Sequence, residues 1–341
     1  MTRSPIPARD IVVIGASTGG VEALRLLIAG LPSGFPAAVL IVMHIGNQNS
    51  ILPSLLARTS TLPVRQARHG DLVEAGRILV APPDMHLTVS REGAEIRVVL
   101  ARTAKENYTR PAIDPLFRAA AVAFGARAIG VVLTGAMDDG TAGLAAIKAC
   151  GGSAVVQDPG EALAPEMPLS AIDNVDVDHV VRLDQMPSML ERLIEAHLDA
   201  RPAAQTPEVP DWVRLENNFS AAGVEMDDLA RLATPSTFTC PECQGNLWEL
   251  RHLQPRRFRC HTGHAYTAVS LVAQQDQLVE DSIWSAVRAL QEREMLLRKM
   301  AEEALVNKHI ETAAEYTAQA GKAQHAAEVL RRLTTAKDEE T

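Results

Sequence analysis

The sequence contains no uninterrupted apolar run near the roughly 20 residues that a membrane-spanning helix needs. Its longest candidate, 119–134, is broken by Gly125 and Arg127. The opening residues, Met1-Thr2-Arg3-Ser4-Pro5-Ile6-Pro7, lack the apolar core of a secretory signal. Positive charge is not in excess: 33 Lys and Arg against 42 Asp and Glu leave −9 at pH 7. That balance argues against a general nucleic-acid or membrane-surface binder. Cysteine is scarce, and three of the four residues are clustered, which excludes the disulfide framework of a small secreted protein. These absences lead to the expectation of a cytoplasmic chain, with no nucleic acid among its partners and no membrane insertion. The rest is ordinary globular composition, 47% hydrophobic and 22% charged over 341 residues, enough for about two domains.

Residues 8–195 alternate apolar β-branched runs with amphipathic stretches. Strands are expected at 11–15, 37–43, 77–81, 128–134, 153–157 and 179–183, and helices at 20–30, 48–58, 114–125, 140–150, 165–173 and 185–198. Strands that read as continuous apolar runs between helices predict an α/β fold, a doubly wound and mostly parallel sheet covered on both faces. His86–Ser90 and Glu95–Val99, joined by Arg91-Glu92-Gly93-Ala94, predict an inserted or edge antiparallel hairpin.

Such sheets carry their sites at the carboxyl ends of the strands. The first strand runs into Gly15-Ala16-Ser17-Thr18-Gly19-Gly20, the second ends on His44, and the strand at 128–134 runs into Thr134-Gly135-Ala136-Met137-Asp138-Asp139-Gly140. A serine, a histidine and an aspartate at three strand ends are the parts of a nucleophilic triad, with Asp138 and Asp139 both in reach of the third role. The serine needs a base to attack, a histidine takes a proton near neutral pH, and a carboxylate on the far ring nitrogen orients it. Backbone N–H groups around Thr18 and in the turn after Thr134 are candidates for the oxyanion site, with Met137 among the side chains lining it. A dinucleotide site fits poorly. The glycines have the wrong spacing, and His44 stands where an acidic residue would hold the ribose.

Five separated motifs occur in order: Gly15–Gly20, Val42-Met43-His44, Ala81-Pro82-Pro83-Asp84-Met85-His86, Arg110–Phe117 and Leu133–Gly140. Together they resemble the CheB-type chemotaxis methylesterase catalytic domain over roughly residues 8–195. The resemblance implies hydrolysis of glutamate γ-methyl esters on methylated chemoreceptors, with deamidation of receptor glutamines as a related activity, and no cofactor for catalysis. It implies Ser17 as nucleophile, His44 as base and, of the two acidic neighbours, Asp139 as the orienting carboxylate. Thr18 and Arg110 are expected to line the site, Arg110 facing an acidic receptor segment. Two departures stand out. The turn reads Thr-Gly-Ala-Met where the family has Thr-Gly-Met-Gly, and about ten residues precede the first strand, so no phospho-receiver domain is expected in cis. With the large tail, these departures motivate a second reading: a non-catalytic regulatory scaffold that binds signalling partners.

Residues 199–236, with Arg201-Pro202 and Pro207-Glu208-Val209-Pro210, read as an extended linker. Over 237–267, Cys240-Pro-Glu-Cys243 and Cys260-His-Thr-Gly-His264 supply two ligand pairs about sixteen residues apart, the pattern of a structural Zn ribbon. His264 is the preferred fourth ligand, with His261 the alternative. Residues 268–336 predict a helical hairpin, its first stripe marked by Leu271, Leu278, Trp284, Val287, Leu290 and Leu297, and its second by Ile310, Ala314, Ala320, Ala327 and Leu330. Partner binding or dimerisation through these helices is the expectation for it.

Overall fold

Aliphatic and β-branched runs, too apolar to face water, form the central layer. The computed structural model describes residues 10–44, 50–199, 208–251 and 253–335. Strands β1 (Ile11–Ala16), β2 (Ala38–Met43), β3 (Val64–Gln66), β4 (Ile78–Val80), β7 (Ala128–Val132), β8 (Ser153–Gln157) and β9 (His179–Val181) form a seven-stranded sheet in the order β3-β4-β2-β1-β7-β8-β9. Every pairing in it is parallel. The predicted hairpin is present as β5 (His86–Glu92) and β6 (Glu95–Ala101). Strand β3 was not expected. It is three residues long and carries Arg65 and Gln66, so no apolar run marks it.

Helices cover both faces. α1 (Gly20–Ala29), α2 (Leu52–Ala57) and α6 (Met186–Asp199) lie over the face carrying Val12, Ile14, Val39 and Ile41. α3 (Ile113–Phe124), α4 (Thr141–Ala149) and α5 (Glu166–Asn174) lie with the hairpin over the face carrying Ile11, Val13, Leu40 and Val132. Burial on both faces is why the strands read as unbroken apolar runs rather than as alternation. Because β1 pairs with β2 on one side and β7 on the other, the strand order reverses beside β1, where doubly wound sheets form their crevice.

The segment expected as an extended linker is structured where it is described. Residues 200–207 lie outside the described part, but Asp211–Ala222 forms α7, Met226–Leu232 forms α8, and Ala233–Thr239 forms β10. Val213, Phe219 and Leu229 are buried, so these elements have an apolar face that the prolines of 202–210 masked in the sequence. The small sheet beyond is four-stranded and antiparallel: β10, β11 (Asn246–Leu250), β12 (Arg257–Cys260) and β13 (Ala265–Thr267). Its apolar core is short, made of Leu247, Phe258, Tyr266 and Leu271 with Cys240 and Cys260.

The chain divides into two units, Met1–Leu271 and Val272–Thr341. The second holds most of α9 (Ala268–Val306) and all of α10 (Ile310–Thr335), the expected helical hairpin. Its buried positions are Val287, Leu297, Ala301 and Ala304 with Ala313, Ala320, Ala323 and Ala327, whereas Leu278, Trp284 and Ile310 from the expected stripes are exposed. All the buried positions on α10 are alanines, whereas α9 also buries Val287 and Leu297. Among the described residues no helix is long and apolar enough to cross a membrane.

Candidate active site

Ser17 follows β1 in a turn whose N-terminal cap, Gly19, has φ +78°, a left-handed conformation that glycine adopts without a steric penalty. The turn is tied down by Ser17 N–H donating to the Thr134 carbonyl (3.0 Å) and by Thr134 Oγ1 donating to the Thr18 carbonyl (2.9 Å). Gly135 permits that approach, because a Cβ there would stand 2.8 Å from Ser17 Cβ and closer still to Met167. At the end of the neighbouring strand, His44 N–H donates to the Ala16 carbonyl (3.3 Å), fixing the histidine backbone beside the serine turn.

The three residues at the strand ends form one hydrogen-bonded row. His44 Nδ1 lies 3.1 Å from Ser17 Oγ, and His44 Nε2 lies 2.9 Å from Asp139 Oδ2. A carboxylate accepts only, so Nε2 carries the proton and Nδ1 is left free to accept from the serine hydroxyl. The His44 side chain is 17% exposed and that of Asp139 only 4%, so Asp139 is the buried end of the row.

Helix ends stabilise the buried carboxylates. Ile113 N–H donates to Asp139 Oδ2 (2.7 Å) and Asp114 N–H to Asp139 Oδ1 (3.3 Å), so Asp139 caps the first turn of α3. Reciprocally, Asp114 Oδ1 accepts from Gly140 N–H (3.1 Å) and Gly143 N–H (2.6 Å) at the start of α4. Here the Arg110–Phe117 motif finds its physical place: it begins the helix whose first turn binds Asp139. Burial opposes ionisation of Asp139, but the His44 ring and the donors from Ile113 and Asn107 outweigh it and hold the carboxyl below its usual range. Asp114 is pushed the other way, by burial first and by the Asp139 charge second. The neighbour Asp138 turns away from His44 and accepts from Thr267 Oγ1 (2.8 Å); burial pushes its carboxyl up to about 6.

The other residues expected to line the site are placed as follows. Thr18 is exposed next to Ser17. Met137 is exposed in the turn and has a left-handed backbone, φ +62°. The Arg110 guanidinium is taken up by Asp84 Oδ1 (2.6 and 2.9 Å) and the Thr103 carbonyl (2.6 Å), a bracing contact between loops. His86 is fully buried, accepting from Ala112 N–H (3.3 Å) and lying 3.0 Å from the Ala104 carbonyl. One residue of the site carried no signal in the sequence: Asn107, whose Nδ2 donates to Asp139 Oδ1 at 2.9 Å.

A second cluster lies in the ribbon. The ligand atoms of Cys240, Cys243, Cys260 and His264 all lie within 4.8 Å of one another. Cys243 Sγ is 3.6 Å from Cys260 Sγ, and His264 Nδ1 is 3.5 Å from Cys260 Sγ and 3.7 Å from Cys240 Sγ. Zn–S bonds of about 2.3 Å in a tetrahedron give edges of about 3.7 Å, so the donor set fits that ion. His264 Nε2 lies 2.6 Å from Glu242 Oε2, a carboxylate that orients the ring and presents Nδ1 to the cluster. Glu242 lies between the two cysteines of the first knuckle and carries no sequence signal of its own, because acidic residues in turns are common.

Residues 12–190 match the family model described as CheB methylesterase. A protein-glutamate methylesterase/protein-glutamine glutaminase of Anaeromyxobacter dehalogenans is 40% identical, over 56% of this chain and 56% of its own length. One of Pyrococcus abyssi is 38% identical, over 56% of this chain and 52% of its own. The chain thus spans about half the length of these curated relatives. A shorter relative of Leptospira interrogans, a putative protein-glutamate methylesterase/protein-glutamine glutaminase, is 35% identical and is covered over 98% of its length. Among solved structures, the CheB methylesterase catalytic domain of Thermotoga maritima superposes with a TM-score of 0.53 at 34% identity, covering 54% of this chain and 98% of that one. A doubly wound sheet with a serine turn, a histidine and a capped aspartate around its central strands, matched over half its length, makes this chain a member of the CheB methylesterase family.

Proposed function

We propose that this protein hydrolyses glutamate γ-methyl esters on chemotaxis-type receptors, with Ser17, His44 and Asp139 as the catalytic residues. The observation that carries the reading is the unbroken row from Ser17 Oγ through His44 to Asp139, at 3.1 and 2.9 Å. In the first step Ser17 Oγ attacks the ester carbonyl while His44 Nδ1 takes the hydroxyl proton. The tetrahedral intermediate collapses, the C–O bond to methoxide breaks, and His44 returns the proton so that methanol leaves. Water, deprotonated by the same nitrogen, then releases the glutamate carboxylate and restores the serine. Attack on a glutamine side chain follows the same course with ammonia as the leaving group, in keeping with the double name of the relatives.

Ser17 N–H and Gly135 N–H are committed to the Thr134 and Ala164 carbonyls, so the oxyanion donors are assigned to Thr18 N–H and the turn at Met137. The ribbon cluster is read as a structural Zn site: four protein ligands leave no open position for chemistry. The two-helix unit, with Val279, Trp284, Met295 and Leu296 exposed, is assigned to partner binding or dimerisation.

Methanol release from methylated receptor membranes tests the reading. Ser17→Ala is expected to lower it by about 10⁴–10⁶-fold, the scale of losing a triad nucleophile, with the fold unchanged by circular dichroism. If wild type and variant release methanol alike across several receptors, the scaffold reading replaces it.

A further inference from the structure

The side-chain amide of Asn107 uses its full hydrogen-bonding capacity, two bonds on each side. Its Nδ2 donates to Asp139 Oδ1 and to Asp114 Oδ2, both at 2.9 Å. Its Oδ1 accepts from Thr267 N–H and Ser270 Oγ, both at 3.1 Å. Turning the amide over would set its oxygen against two carboxylates and its nitrogen against two donors, so a single orientation satisfies the site. The backbone is held as firmly. Asn107 N–H donates to the Ala265 carbonyl (2.8 Å), and Ala265 N–H to the Lys105 carbonyl (3.2 Å), so β13 runs beside residues 105–107. Next in the chain, the buried Glu106 carboxylate pairs with Arg118 of α3 (2.5 Å), Arg259 of β12 (3.1 Å) and Ser220 Oγ of α7 (2.6 Å). The left-handed φ of Asn107, +48°, suits an asparagine better than other side-chain-bearing residues.

We propose that Asn107 is a positioning residue for the triad carboxylate and that the ribbon sets it, so the ribbon is a working part of the esterase. This rests on the reading of Ser17, His44 and Asp139 given above. One end of the asparagine is fixed by Thr267, the last residue of the ribbon sheet, and by Ser270 in the first turn of α9, which also bonds Thr267. The other holds Asp139 Oδ1, which leaves Oδ2 aimed at His44. The titratable groups facing this centre are His44 and Asp114 directly, with Asp138, His86 and Glu106 around them. Removing the bridging amide makes Asp139 a more basic partner for the imidazolium and frees it to turn. The acid limb of the pH–rate profile then moves to higher pH while the rate falls. Loss of packing alone lowers the rate at every pH and leaves the limb in place.

The experiment uses the full chain and a fluorophosphonate probe. The rate of Ser17 labelling is followed against pH, and the imidazole protons of His44 are followed by NMR. Asn107→Ala is expected to slow labelling by about 10–100-fold, the scale of losing a hydrogen bond to a charged group, and to raise the midpoint of the acid limb. Ser270→Ala, on the ribbon side, is expected to move the limb and the His44 signal the same way by less. Ser220→Ala, which loosens the Glu106 network without touching Asn107, is expected to lower the unfolding midpoint and leave both unmoved. A limb and a His44 signal unchanged in Asn107→Ala and Ser270→Ala overturn the proposal, as does an equal shift in Ser220→Ala. If Asn107→Ala does not fold, Ser270→Ala decides alone. If wild type labels no faster than Ser17→Ala, the esterase reading fails, and the His44 signal in Ser270→Ala still decides whether the ribbon positions Asp139.

Discussion

In β1 all six residues are buried, and all are aliphatic or glycine. In β12 all four residues are buried too, but two of them are Arg257 and Arg259. The first strand lies in the middle of a sheet covered on both faces, where apolar burial at roughly 25 cal/mol per Å² is enough to order it. The second belongs to a sheet with only a handful of apolar side chains. Its arginines are buried against Glu216 (2.6 Å) and Glu106 (3.1 Å), carboxylates from outside the ribbon. Buried ion pairs are a weak source of stability, because desolvation cancels much of the attraction. They are demanding about geometry. The parallel sheet is therefore stabilised by its own apolar core, while the ribbon has little core of its own and takes its place against Asn107 through paired charge.

The Zn site proposed for the ribbon gives the sharpest test of that contrast. A structural Zn site contributes on the order of 10 kcal/mol to folding a small module. Chelation of the full chain is expected to abolish the amide signals of Asn246–Leu250 and Arg257–Cys260 while those of β1 and β2 persist. Ribbon signals that survive in the metal-free chain would break the contrast.

Next in size is Glu106→Gln, which removes the carboxylate paired with buried Arg118 and Arg259. A loss of about 3–5 kcal/mol in urea unfolding is expected. The Arg pair outweighs burial and holds Glu106 well below the usual carboxylate range. Its contribution is therefore fully present above the unfolded carboxylate range and lost progressively as pH falls from there through the depressed folded value. An unchanged midpoint would show that the buried charges specify nothing.

The smallest effect is expected at Asp138, whose carboxyl burial raises to about 6 despite the Thr267 hydrogen bond. A raised carboxyl stabilises the fold below its unfolded value and loses that contribution as pH rises through about 6. Asp138→Asn keeps an acceptor for Thr267 without the charge. It is expected to flatten the stability slope between about pH 4 and 6 and to add about 1–3 kcal/mol at pH 7, read as the thermal midpoint against pH.

Sequence and structure agree most closely where local signals and burial point the same way. The runs at Ile11–Ala16 and Ala38–Met43, the helices after them and the Gly93-containing hairpin needed no tertiary information, because both faces of the parallel sheet are covered. Agreement fails over 208–236, the described part of the expected linker. The prolines there suggested a linker, yet Trp212, Val213 and Phe219 give α7 a packing face, and Thr234–Thr239 pairs as an outer strand of the ribbon sheet. Propensity is a weak prior, and tertiary burial overrode it.

What the sequence determined by itself is the chemistry: a serine turn, a histidine and an acidic pair at the ends of strands, and a Cys/His set with metal-ligand spacing. These are legible because strand ends and knuckles fix residue type locally. The family resemblance singled out Asp139, but residue chemistry alone did not separate it from Asp138, and what holds it against His44 was decided only by tertiary structure. Asp138 and Asp139 are adjacent and chemically alike, and the choice between them depends on the first turn of α3 and on Thr267, 129 residues further along the chain. Asn107 is polar on every side and sits in no periodic pattern. Its role exists only because folding brings three segments, at Asp114, Asp139 and Thr267–Ser270, to the four positions of one amide.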